Sequence, residues 1–171
     1  MKKKNFSMMK WARDLFPINR SLTGDGNRKT LNYIKKINKN FVIKNFKSGK
    51  KVFDWRVPSE WKITDAYVKD SKGNKVIDYT KHNLHVINYS SPINKKLYLN
   101  ELKKKLFTIK NKPNSLPYIT SYYKKDWGFS IKFNKLKKMS SNQKYKAFID
   151  SKFLNGQMDY GELVINGKSK K

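Results

Sequence analysis

Two histidines, His82 and His85, stand three apart in Lys81-His82-Asn83-Leu84-His85, and the chain has no other imidazole. On one helical face that spacing would chelate zinc. The local pattern instead predicts a loop entering a strand over 84–89, where residues three apart point to opposite faces. Asp78 is the nearest acid that could join them, and it also has a turn to close. Asp54, Glu60, Asp65, Asp70 and Asp78 follow at short intervals, and a pair of such carboxylates could do acid–base work on a glycosidic bond. The same acids suit turns and the neutralisation of nearby lysines. A zinc hydrolase needs several His, Asp and Glu ligands with a general base to activate water. Twelve acids among forty basic residues, with two neighbouring histidines, do not assemble that set. Gly24-Asp25-Gly26 lacks the later glycine and lysine of a nucleotide loop and reads as a tight turn. No Gly-x-Ser-x-Gly provides a serine nucleophile.

The strongest binding candidate is Tyr118-Ile119-Thr120-Ser121-Tyr122-Tyr123-Lys124-Lys125-Asp126-Trp127-Gly128-Phe129. Tyr122, Tyr123 and Trp127 offer large surfaces with polar edges, suited to holding a substrate in a groove. The same string would also serve as a core strand and turn, with Gly128 admitting close packing. Stacking single-stranded nucleic-acid bases would need those rings on an exposed basic face.

Around these residues the hydrophobic spacing outlines the elements. Residues 5–16 place Met8, Ala12, Leu15 and Phe16 on one side of a helix that Pro17 ends. A second helix over 26–39 buries Leu31, Ile34 and Ile37, and a strand over 41–46 follows. Strands are then expected over 52–58, 61–68 and 75–79, the middle one alternating Ile63, Asp65 and Tyr67 against Lys62, Thr64 and Ala66. Asp70-Ser71-Lys72-Gly73-Asn74 reads as a hairpin loop between the last two. Leu99, Leu102 and Leu106 mark a short helix, 118–133 is strand-like, and 140–165 holds two or three strands with Gly156 and Gly161 as turn points. The expected fold class is α/β, α+β in this stretch, with a small β-rich segment inserted into an α/β unit. The expected divisions are 1–50, 51–117 and 118–171.

The length of 171 residues suffices for one domain or a small pair. The net charge of +28 suggests a polyanion partner at first sight, but the basic residues are almost all lysine. Arginine, whose fork reads phosphates and bases, occurs only at Arg13, Arg20, Arg28 and Arg56. Nucleic acid is therefore not the expected partner, and lysine on solvated faces is the simpler reading. The chain has no cysteine, so no disulfide framework is available. The start Met1-Lys2-Lys3-Lys4 resembles the basic end of a signal peptide, but Asn5, Ser7, Lys10, Arg13 and Asp14 interrupt any apolar run. With no membrane-spanning stretch either, no membrane partner is expected and the expected compartment is the cytoplasm.

Leu15-Phe16-Pro17-Ile18-Asn19-Arg20-Ser21-Leu22-Thr23-Gly24-Asp25-Gly26-Asn27-Arg28 resembles the amino-terminal signature of a bacterial aminopeptidase-like family related to zinc exopeptidases, whose members carry an inserted β-rich domain of unknown function. The resemblance continues in order through Asp54-Trp55-Arg56-Val57-Pro58-Ser59-Glu60-Trp61, Lys81–Ser90, Leu116–Tyr123, Trp127-Gly128-Phe129 and Tyr160-Gly161-Glu162-Leu163. It implies a partial zinc-exopeptidase-like mixed sheet interrupted by the insert. It also implies that the histidine-proline and aspartate-rich blocks that look like the metal ligands would follow after Lys171. No cofactor is then expected in this chain, zinc being expected only for a full-length relative, and the chain alone is expected to be inactive. The partners implied are the missing carboxy-terminal half or a peptide- or saccharide-linked substrate. A non-enzymatic β-rich binding module is the alternative, and a basic nucleic-acid binder a second one.

Overall fold

The computed structural model describes residues 7–167. The basic start Met1-Lys2-Lys3-Lys4, the first two positions of the helix expected over 5–16, and the terminal Lys168-Ser169-Lys170-Lys171 lie outside the described residues. The fold is mixed α+β, with short helices and small sheets. The chain divides into two compact units, one of Met1–Glu60 with Leu154–Lys171 and one of Trp61–Phe153.

In the first unit, helix α1 (Met8–Leu15) is capped by Ser7, whose hydroxyl accepts from the Lys10 N–H at 3.4 Å. Its expected apolar side is not buried: no residue of α1 is buried, Leu15 is half-buried, and Met8 and Phe16 are exposed. Helix α2 (Asp25–Ile37) buries Leu31 of the expected line and leaves Ile34 and Ile37 half-buried. Gly24 precedes it at φ 95°, a conformation that favours glycine. Strand β1 (Val42–Lys47) pairs antiparallel with β10 (Gln157–Glu162) in a two-stranded ribbon. Gly161, expected at a turn, sits inside β10 instead. A Cβ there would lie 1.8 Å from the Phe41 ring, so the missing side chain makes room for that phenyl group.

Strands β2 (Lys51–Val52) and β3 (Trp55–Arg56) form a hairpin whose two-residue loop begins with Phe53 at φ 53° and 91% exposed. A loop with positive φ at its first position favours glycine. A bulky side chain there costs about 1–2 kcal/mol. Phe53→Gly is therefore expected to stabilise the first unit by up to about 1 kcal/mol after the added chain entropy is subtracted. A thermal melt measures this, and a fall in stability would mean that the Phe53 ring packs.

The second unit holds a four-stranded sheet in the order β5-β4-β9-β6, from β4 (Glu60–Lys69), β5 (Lys75–Asp78), β6 (Ile93–Tyr98) and β9 (Lys144–Leu154). Its core gathers Val68, Ile77, Leu102, Phe129, Tyr145 and Ile149. The hairpin loop between β4 and β5 forms as expected: Asp70 Oδ1 accepts from the Lys72 and Asn74 N–H groups, each at 2.9 Å, and Gly73 takes φ 86°. The inward face of β4 does not keep one parity. Trp61 is buried, then Ala66 and Val68, the change falling where Asp65 Oδ1 takes the Ala66 N–H at 2.8 Å.

Helix α3 (Leu99–Lys103) buries Leu99 and Leu102, while Leu106 opens β7 (Leu106–Phe107), which runs parallel to β8 (Phe129–Ser130). A short helix α4 (Phe133–Lys137) follows. The strands expected over 84–89 and 118–133 are mostly irregular. Asn83–His85 form a 3₁₀ turn capped by His82, and the next residues pair only through the bridges Val86–Phe129 and Asn88–Thr120. Turn bonds such as Lys124 N–H to the Ser121 carbonyl, at 3.1 Å, interrupt the later run. Strand β9 sits between β4 and β6, and the compact units divide at Glu60/Trp61 and Phe153/Leu154.

Candidate functional site

Val86-Ile87-Asn88-Tyr89-Ser90 is buried at every position and acts as a strap inside the second unit. The Ile87 N–H donates to Gly128, the Asn88 N–H to Ile119, and the Asn88 carbonyl accepts from Ser121, at 2.9–3.1 Å. Tyr89 then takes φ 64°, an unfavourable conformation for a bulky residue that the surrounding packing must enforce. Its ring stacks on Trp61 at 5.9 Å and meets Phe153 at 6.1 Å and the edge of Tyr122 at 5.8 Å. Beneath it, Trp61 Nε1 and Ser151 Oγ both donate to the Ser90 carbonyl, at 3.0 and 2.7 Å.

On this support the Tyr122 and Tyr123 rings lie 4.3 Å apart, inclined by 55°, with Tyr123 80% exposed. The hydroxyl of exposed Tyr118 accepts from Asn88 Nδ2 at 3.1 Å. The hydrogen bond between the Tyr122 and Tyr123 side chains raises the pKa of Tyr122, so its phenol keeps its proton at neutral pH. Three phenols thus stand on a buried aromatic base, with exposed Lys124 and Lys125 next in sequence. Such a surface offers ring faces and hydroxyls together, the equipment for gripping polar, ring-bearing ligands.

Trp127 has different neighbours. It meets the edge of Phe129 at 6.3 Å, and Lys105 Nζ lies 5.7 Å from its ring centre. Lys105 pairs with Asp126 at 2.5 Å, and that hydrogen bond holds the Asp126 carboxyl below the usual range. Sequence spacing finds Tyr122 and Tyr123 but misses Asn88 and Tyr89, whose roles rest on a backbone turn that no short motif announces.

The first unit holds a second polar constellation. Arg28 on α2 reaches Glu60 through Nη1 at 3.0 Å and Nη2 at 2.6 Å, Asp25 at 2.7 Å and Asp159 at 3.3 Å. Glu60 is lowered in pKa chiefly by its hydrogen bond to Arg28. Asp159 is buried, and Gln157 Nε2 donates to it at 2.6 Å. A Cβ on Gly156 would fall 2.5 Å from Glu60 Oε2, so that glycine makes space for the carboxylate. Sequence reasoning overlooked Arg28, although a rare arginine in a lysine-rich chain was the available signal. These groups satisfy one another and tie α2 to β10 and Glu60 within the first unit.

The acids clustered in sequence do not converge on a catalytic pair. Glu60 serves Arg28, Asp70 closes a loop, Asp65 caps its neighbour's N–H, and Asp78 takes the Thr80 hydroxyl at 2.8 Å. Zinc, implied by the exopeptidase resemblance, does not fit the donors present. His82 Nδ1 accepts from the Leu84 N–H at 3.1 Å, and His85 Nδ1 lies 2.7 Å from the Asp78 carbonyl oxygen. Burial holds the His85 pKa below the usual imidazole range. Among the described residues no group of three or more His, Cys, Asp or Glu side chains could hold a metal ion, and no helix is long and apolar enough to cross a membrane.

A family described as "Domain of unknown function (DUF2172)" matches residues 60–152, almost the span of the second compact unit. The chain is 50% identical over 155 residues to a Clostridium acetobutylicum protein provisionally named for polysaccharide biosynthesis and an aminopeptidase-like domain, covering 91% of this chain and 35% of that protein. It also superposes, with TM-score 0.83 and 49% identity, on the crystal structure of a C. acetobutylicum protein provisionally named a peptidase, covering 89% of this chain and 36% of that one. The chain therefore spans about a third of the length of these relatives. With its tyrosine-bearing unit matched almost end to end, the chain belongs to the family of that domain of unknown function and resembles the aminopeptidase-like proteins over most of its length.

Proposed function

We propose that this chain corresponds to the amino-terminal portion of a zinc-exopeptidase-like protein and serves as its ligand-presenting, non-catalytic part. The unit Trp61–Phe153 holds a peptide- or saccharide-linked substrate on Tyr118, Tyr122 and Tyr123. The observation that carries this reading is the exposed Tyr123 ring held against a half-buried Tyr122 that stands on the buried, positive-φ Tyr89. Strain of this kind at an aromatic platform marks a functional surface more often than an ordinary core. The similarity to a protein named for polysaccharide biosynthesis and an aminopeptidase-like domain supports the substrate class. The zinc and the hydrolytic step belong to residues other than those described, so the chain alone neither binds zinc stoichiometrically nor cleaves aminoacyl substrates. The protein works in the cytoplasm.

Titration calorimetry with a panel of oligosaccharides and short peptides tests this. Tyr123→Ala is expected to weaken binding about tenfold, as loss of a hot-spot aromatic does, with the melting transition of the second unit unchanged. Absence of any ligand in the panel, or affinity indifferent to Tyr122→Ala and Tyr123→Ala, would remove the reading.

A further inference from the structure

We propose that the outward face of the β5-β4-β9-β6 sheet is a binding surface for an acidic polysaccharide, a chain of sugars carrying carboxylate groups. Alternation along β9 turns Tyr145, Ala147 and Ile149 into the core and leaves Lys144, Lys146 and Phe148 on the other face. On that face Phe148 stacks against Tyr67 of β4, with ring centres 4.9 Å apart and planes inclined by 26°. Lys69 and Lys75 both stand over the Tyr67 ring, at 4.8 and 5.1 Å from its centre. Toward the β6 edge, Lys96 lies directly opposite Lys146, and Tyr98 lies opposite Lys144, whose Nζ is 4.9 Å from the Tyr98 ring centre. A half-buried aromatic centre is thus flanked by lysine pairs. Tyr98 is 49% exposed, and Lys75, Lys96 and Lys144 are exposed beside it. The strap that carries Tyr89 packs on the opposite side of β9, where Ser151 meets the Ser90 carbonyl, so this face and the tyrosine surface are separate.

The lysine pairs call for a ligand. Like charges directly opposite across a sheet destabilise it, and Lys69 is likewise paired with Lys75. Asp65, Asp78 and Asp150 belong to the same strands, but Asp78 serves Lys75 at 3.3 Å and Asp65 takes the Ala66 N–H. An anion laid across the face would relieve the repulsion between Lys96 and Lys146. Its kind follows from what the face lacks. Arg13, Arg20, Arg28 and Arg56 all lie in the other unit, and lysines already cover the rings on which bases would stack. A nucleic acid therefore finds neither of its usual contacts. Lysine is depleted at the cores of protein interfaces, which argues against a folded protein. Carboxylates repeated along a chain meet lysines as point charges, while sugar C–H groups pack on the exposed part of the Tyr98 ring.

Titration of the full chain with alginate oligosaccharides, neutral dextran and polyuridylate tests this. Alginate is expected to bind saturably and to weaken as salt rises. Lys96→Gln combined with Lys146→Gln is expected to weaken alginate binding about tenfold, through the loss of two exposed ion pairs. The melting transition should hold or rise in that variant, because the cross-strand repulsion is gone. Lys110→Gln combined with Lys112→Gln removes the same charge from exposed positions outside the sheet and is expected to leave the affinity unchanged. Tyr122→Ala combined with Tyr123→Ala should also leave it unchanged, which separates failure of the tyrosine reading from failure of this one. Equal weakening by the two lysine double variants would assign binding to diffuse charge and overturn the proposal. So would dextran or polyuridylate binding as tightly as alginate, or no alginate binding at all.

Discussion

Arg28→Met is expected to loosen the first unit by about 3 kcal/mol, the largest effect of any single polar change. The substitution keeps the volume of the stem but leaves Glu60 and buried Asp159 without their cation. Removing one partner of a largely buried ion pair typically costs about 3–5 kcal/mol, because the remaining charge stays desolvated. Partial exposure of Arg28 puts the value at the lower end. The pH dependence has a definite sign. Arg28 holds the Glu60 carboxyl below its usual range, so the stabilisation is complete above the unfolded value and is lost as pH falls through the lowered one. Arg28 itself, raised by Glu60 and Asp25, stays charged throughout. Urea titrations followed by hydrogen exchange in α2 and β10 are expected to show a wide gap between the two proteins at neutral pH. The gap should narrow below the usual glutamate range, as the Glu60 carboxyl neutralises. A gap independent of pH would mean that Arg28 acts through packing alone.

Gly26→Ala is expected to cost about 3 kcal/mol or more, against the usual preference of a helix for alanine. Gly26 is the second residue of α2, and a Cβ there would lie 1.8 Å from the Asn19 carbonyl oxygen and 2.7 Å from its carbon. The obstacle is backbone, which cannot swing aside as a flexible side chain can. Overpacking costs of 1–3 kcal/mol therefore set a lower bound of about that size. Alanine would otherwise gain about 1 kcal/mol over glycine in a helix. Loss of α2 protection in hydrogen exchange, with the second unit melting as before, is the expected signature. A variant as stable as the parent would show that the turn before α2 can move away.

These two positions explain why the opening signature was legible as a turn and opaque as to purpose. Gly24 and Gly26 announce backbone freedom in the sequence, and the structure uses one for a positive φ and the other for a close approach. Arg28 joins residues 32 and 131 positions away, a reach that local spacing does not carry. Helix α2 and the β4–β5 hairpin were legible because periodicity and loop chemistry agreed. Residues 84–89 were not, because His82 caps a 3₁₀ turn and Tyr89 reverses its φ within an otherwise strand-like apolar run. The helix over Met8–Leu15 shows the converse case: its spacing was readable, but it buries none of its residues and leaves Met8 exposed. At the candidate site, Tyr122 and Tyr123 stood out by composition, while Trp127 was grouped with them by proximity in sequence and has different ring neighbours.

The most direct test of the account measures the affinity of the chain for the oligosaccharide and peptide panel as salt is raised, for the parent and for Tyr122→Ala with Tyr123→Ala. If the tyrosine surface presents a substrate, binding is saturable, changes little with salt, and is lost in the double variant. Affinity that falls steeply with salt, extends to any polyanion, and survives loss of both tyrosines would instead assign binding to the +28 lysine-rich charge.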